Sequence, residues 1–124
     1  MPTSQYWEKW TEVDLGVTPW THRPLGTMVP NLAYVADDEG NPVPWNETRW
    51  VDEEFSRLLA EASGTLDVAQ RQQIFCKLED IQMQRGSIGI AYWMNTWMCA
   101  NKRLQNVEAH PNLVLLFNQA WLAA

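Results

Sequence analysis

The strongest pattern in this chain is a pair of helical stripes near its middle. Phe55, Leu58, Leu59 and Ala62 share one face of a helix that Asp52 can cap and Gly64 stops. Asp67, with Gln70 at capping-box spacing, opens the longest helix. Its main stripe is Ile74, Phe75, Leu78 and Ile81, and Gly86 ends it. A second, narrower line, Ala69, Cys76 and Met83, runs down the opposite side at seven-residue intervals. A helix that is apolar on two sides is usually covered on two sides. In a chain this small, another chain can supply part of that cover.

Weaker patterns flank this pair. Residues 3–13, TSQYWEKWTEV, read as a short helix capped by Thr3 or Ser4, with Tyr6, Trp7 and Trp10 on one side. Residues 14–20 read as extended. After Pro24, Leu25, Met28, Val29, Leu32 and Ala33 fall at helical spacing, and Pro30 inside that stripe is expected to kink or end the helix. Residues 36–48 are acidic and carry Gly40, Pro42 and Pro44, the composition of a loop. Residues 87–99, SIGIAYWMNTWMC, favour strand, with an irregularity at Asn95–Thr96, and LVLLFNQAW reads as a closing strand. The expectation is one α+β domain over residues 1–124, about four helices packed on a small, partly open β-sheet.

Composition changes the picture in one respect. Eight of the 124 residues are Trp, more indole than a small core absorbs, and indoles are frequent in interfaces and ligand clefts. A formal charge of −6 argues against a nucleic-acid partner, which needs a basic face. No run of about 18 apolar residues occurs, so no bilayer-spanning helix is expected. The N-terminus lacks the basic and apolar regions of a signal peptide. Cys76 and Cys99 stand outside any CxxC pair and read as buried free thiols, though an oxidising compartment would allow one bridge.

The chemistry-bearing residues are sparse. His22 and His110 are the two imidazoles. With no nucleophile elbow, no Gly-rich phosphate cradle and no metal-ligand spacing, no catalytic centre, metal or cofactor is expected. The stretch Trp20–Gly26, WTHRPLG, has two readings. In one, Trp20 packs, His22 and Arg23 are solvated and Pro24 starts a helix. In the other, a strand end contacts ligand: Trp20 offers a wall and Arg23 a bidentate donor for a carboxylate. Trp45 and Asn46, in WNET, divide in the same way, between loop anchor and binding residue.

The order of motifs is more specific than any one of them. SQYWEKWTEV, WTHRPLGTMV, LAYV, PWNETRWVDEEFSRLLAEASGTLDVAQRQQIFCKLEDIQMQRG and EAHPNLVLLFNQAWLA, taken together, resemble the C-terminal part of the family 5 extracellular solute-binding proteins. These are the peptide-, dipeptide- and nickel-type binding proteins of bacterial ABC importers. The resemblance covers nearly the whole chain. It implies a periplasmic, non-enzymatic protein that encloses a small solute or peptide between two α/β lobes and delivers it to an ABC permease. The whole protein of that family is several times longer, so this chain corresponds to one portion of it. Without a signal peptide, the chain as written would stay in the cytoplasm.

Three departures from the family pattern stand out. Peptide-binding members carry an aspartate in the segment aligned with WTHRP, where this chain has Arg23 or a neighbour of it. That exchange implies a ligand with an anionic or neutral group at this point. The family's proline-containing segment after the long helix is replaced by GSIGIAYW, and Pro30 falls in a helix usually unbroken. The ligand contacts expected are Trp20, His22 and Arg23, with Trp45 and Asn46 second. The other reading is an independent interaction module, whose aromatic faces form a homodimer or larger assembly.

Overall fold

The computed structural model describes residues 2–110, 112 and 114–123. They form four helices and one small antiparallel sheet, an α+β fold. The chain divides into two compact units. The first takes the chain up to Thr18 and Leu25–Gly89; the second takes Pro19–Pro24 and the chain from Ile90 onward.

In the first unit the elements are α1 (Thr3–Lys9), α2 (Met28–Ala33), α3 (Glu53–Gly64) and α4 (Val68–Arg85). The α3–α4 pair holds most of the core. Asp52 caps α3 by accepting the Phe55 N–H at 2.8 Å, and Asp67 caps α4 by accepting the Gln70 N–H at 2.8 Å. Each carboxylate thus satisfies a donor that the first helical turn leaves without a partner. With three residues between them, the helices turn their stripes together. Phe55, Leu58, Leu59 and Ala62 meet Ile74, Leu78 and Ile81, all buried. Trp10, Ala33 and Tyr34 complete the core. Gly26 lies against Phe75, where an added Cβ would come 3.0 Å from the ring.

The outer helices are shorter than their patterns predict. α1 stops at Lys9 rather than reaching Val13, because Trp10 turns into the core and the Glu12 N–H closes a turn on the Lys9 carbonyl at 2.9 Å. Its cap is also not Thr3 or Ser4: Pro2 occupies that position, without a side-chain bond. α2 begins at Met28, after a turn in which the Leu25 carbonyl accepts the Met28 N–H at 3.1 Å. Pro30 therefore occupies the third helical position and neither kinks nor ends the helix. An N–H there would have no intrahelical acceptor, so the ring removes no bond. The 36–48 loop is built around Asp37, whose carboxylate accepts the Glu39 and Asn41 N–H groups at 3.0 and 2.9 Å while Gly40 takes φ 84°.

In the second unit, β1 (Leu104–Gln105) and β2 (Trp121–Leu122) pair antiparallel, Leu104 opposite Leu122 and Gln105 opposite Trp121. Arg103 and Ala123 extend the ladder: the Ala123 N–H reaches the Arg103 carbonyl at 2.7 Å, and Arg103 Nε reaches the Ala123 carbonyl at 2.9 Å. The strand expected over residues 87–99 does not form; residues 88–101 carry no regular structure. The closing strand contracts to two residues, and Leu113 of its predicted span lies outside the described residues. Strand propensity expresses a fit to neighbouring strands, and a two-residue ladder supplies few. Ile90, Tyr92, Trp93, Met94 and Trp97 are exposed as a result. Both cysteines are free and exposed rather than buried. Cys76 lies on the side of α4 away from Ile74, Leu78 and Ile81, and Cys99 lies in the irregular segment.

Candidate functional site

Trp20, His22 and Arg23 fall in the Pro19–Pro24 segment of the second unit, whereas Trp45 and Asn46 belong to the first. Within its segment, Arg23 folds back: Nη1 donates to the Thr21 carbonyl at 3.4 Å, to the Thr21 hydroxyl and to the His22 carbonyl at 3.2 Å. Trp20 and Arg23 are half-buried and His22 is exposed. These bonds hold the guanidinium against the main chain of Thr21 and His22 and the Thr21 hydroxyl.

Trp45 and Asn46 are neighbours with different environments. Asn46 is fully buried. Its amide donates to the Trp50 carbonyl at 2.7 Å and to the Val35 carbonyl at 3.3 Å, and its Oδ1 accepts from the Thr48 hydroxyl at 3.2 Å. A buried amide with both donor and acceptor engaged is a structural anchor. Here it fixes a turn in which Arg49 adopts φ 57°. Trp45 faces outward at 51% exposure, with its ring edge-to-face on Trp10 at a centroid distance of 6.1 Å. Trp10 meets Trp7 at 5.8 Å, and Trp7 meets Tyr6 at 5.0 Å, so four aromatic rings run in contact across α1 and the WNET turn.

Beside that row lies a polar tie that the sequence does not reveal. The Tyr6 hydroxyl lies 2.6 Å from the Thr18 hydroxyl and donates to the Val17 carbonyl at 3.1 Å; Thr18 in turn donates to Glu47 Oε2. Burial pushes the Tyr34 phenol above its ordinary range, and the negative charge of Glu47 pushes it further. Residues 6, 18, 34 and 47 have no common period, so no local spacing announces the cluster. The bonds tie α1, the Val17–Thr18 stretch and the WNET turn to one another.

The two histidines serve locally or face solvent. His110 Nδ1 accepts the Asn112 N–H at 3.2 Å, and His22 is exposed. Among the described residues no group of three His, Cys, Asp or Glu side chains is placed to hold a metal ion. No helix among them is long and apolar enough to cross a membrane. A shallow depression runs along the N-terminal half of α4, lined by Ala69, Gln72, Gln73, Phe75 and Cys76 among others. Compared with known families, curated proteins and solved structures, the chain matches none.

Proposed function

We propose that this chain is a portion of a bacterial ABC-importer solute-binding protein of the peptide and small-solute class, non-enzymatic and acting in the periplasm beside its permease. The rest of a two-lobed body completes the apolar faces that this portion leaves open. Trp20, His22 and Arg23 contact the ligand, Arg23 pairing with an anionic or polar group. Trp45, in the first unit, is a separate candidate contact, and Asn46 acts by holding the turn that presents it.

The observation that carries this reading is the surplus of aromatic surface in the second unit. Trp93 and Trp97 are each 84% exposed, and Tyr92 is 71% exposed. Large apolar patches on a soluble chain mark a surface that another polypeptide or ligand covers. The same surplus supports a second reading, a self-associating interaction module.

The test is a titration of tryptophan emission with a panel of short peptides and small carboxylate and phosphate compounds. The chain is measured alone and mixed with the N-terminal portion of a family 5 binding protein. The transport reading expects a saturable change in the mixture, weakened by Arg23→Ala. Silence toward every ligand in both settings counts against it and leaves the module.

A further inference from the structure

We infer that the outward face of α4 is a two-fold interface with a second copy of this chain, the two α4 helices running antiparallel and crossing at Cys76. The inference rests on the self-association reading and gives that reading a location.

The face lies opposite the core stripe of Ile74, Leu78 and Ile81. Its centre line is Ala69, Cys76 and Met83, all exposed, Met83 at 85%. Ala69 and Met83 each stand seven residues from Cys76, about 10 Å along the axis at 1.5 Å per residue. A two-fold axis at Cys76 therefore sets Ala69 of one copy against the partner's Met83, twice over. The small residue lines the depression in the N-terminal half of α4, and the long, flexible thioether projects from the C-terminal half, so projection meets hollow in both directions. Such self-complementarity is what an isologous contact requires.

The polar residues obey the same symmetry. Gln72 and Glu79 flank the line on one side, and Gln73 and Asp80 flank it on the other. A two-fold axis lying in the contact plane keeps each flank on its own side and reverses direction along the helix. Gln72 then meets the partner's Glu79, and Gln73 meets the partner's Asp80. Each amide donor faces a carboxylate, and carboxylates of the two copies stay apart. A parallel pairing would instead bring like residues together, carboxylate on carboxylate, which is unfavourable. The antiparallel arrangement also sets the helix dipoles in opposition.

The test combines sedimentation with a short bismaleimide cross-linker, using the full chain. The expected result is a reversible dimer, cross-linked through Cys76 in Cys99→Ser and not in Cys76→Ser. Met83→Glu, at an exposed position, should keep the helical far-UV signal and weaken the dimer at least about tenfold, since it buries a carboxylate without a partner. A dimer unchanged by Met83→Glu and not linked through Cys76 overturns this interface while self-association stands. A chain that stays monomeric at high concentration overturns both.

Discussion

Arg85 grips Asp52 with two hydrogen bonds, Nε to Oδ2 at 2.6 Å and Nη2 to Oδ1 at 3.3 Å. The same carboxylate caps α3 through the Phe55 N–H, so one side chain joins the first turn of α3 to the last turn of α4. Arg85 also reaches Glu54 at 2.6 Å. Its hydrogen bonds are the main reason that the Asp52 carboxyl is held below the usual range, and the Phe55 N–H works in the same direction.

A carboxyl whose pKa is lower folded than unfolded stabilises fully above its unfolded value, about 4, and loses that contribution as pH falls through the folded value. The urea midpoint followed by circular dichroism should therefore fall as pH drops below about 4. Asp52→Asn keeps a capping oxygen and loses the charge, so it should flatten this acid dependence. Asp52→Ala should cost about 1 kcal/mol at neutral pH through the lost cap. Arg85→Gln should cost less than Asp52→Ala, because its partly exposed ion pair is screened by solvent and salt.

Leu59 is fully buried between the paired helices, and Leu66, in the connection, is 92% exposed. Leu59→Ala should destabilise by about 2–5 kcal/mol, combining lost transfer energy with a cavity. Leu66→Ala should stay within about 0.5 kcal/mol. Denaturant midpoints measured side by side check both, and equal losses would contradict the core described above.

Asn46→Ala should cost about 1–3 kcal/mol, because the Val35 and Trp50 carbonyls lose their shared donor inside the protein. Asn46→Asp preserves shape but replaces that donor with an acceptor, and should be no better tolerated. Thermal melts of the two variants check this. A wild-type melt for Asn46→Asp would mean that shape, not the amide donor, holds the turn.

The Tyr34 phenol predicts behaviour at the alkaline end. Its folded pKa is raised, so its contribution is intact below the unfolded value, near 10, and is lost as pH rises through the folded one. Absorbance titration near the tyrosinate band should show one of the three tyrosines ionising late, and Tyr34→Phe should remove that late step. The variant should also lose less stability on alkaline titration than the parent chain.

What the residues reveal in advance follows how far apart the interacting groups lie. The caps at Asp52 and Asp67 and the stripes of α3 and α4 are set by partners three or four positions away, and the spacing alone identifies them. Pro30 illustrates the limit of such reading: its effect depends on where the helix begins, and the turn at Leu25–Met28 sets that from outside the stripe. The apolar run at 87–99 has the residue types of a strand, yet pairing depends on neighbours that composition cannot supply. The Tyr6–Thr18–Glu47 tie and the Trp10–Trp45 contact join residues far apart in the chain, and tertiary folding alone brings them together. In the expected ligand set, the residue types announced polarity but not allegiance, and Asn46 proved committed to its own loop.

The uneven placement of the eight indoles has a spectroscopic consequence. Trp10 is the one buried indole among the described residues, while Trp93 and Trp97 stand almost wholly in solvent. Emission from this chain should already be red-shifted and open to iodide quenching before any unfolding. Fluorescence will therefore track what settles onto the surface, and the melting of the helices is better followed in the far ultraviolet.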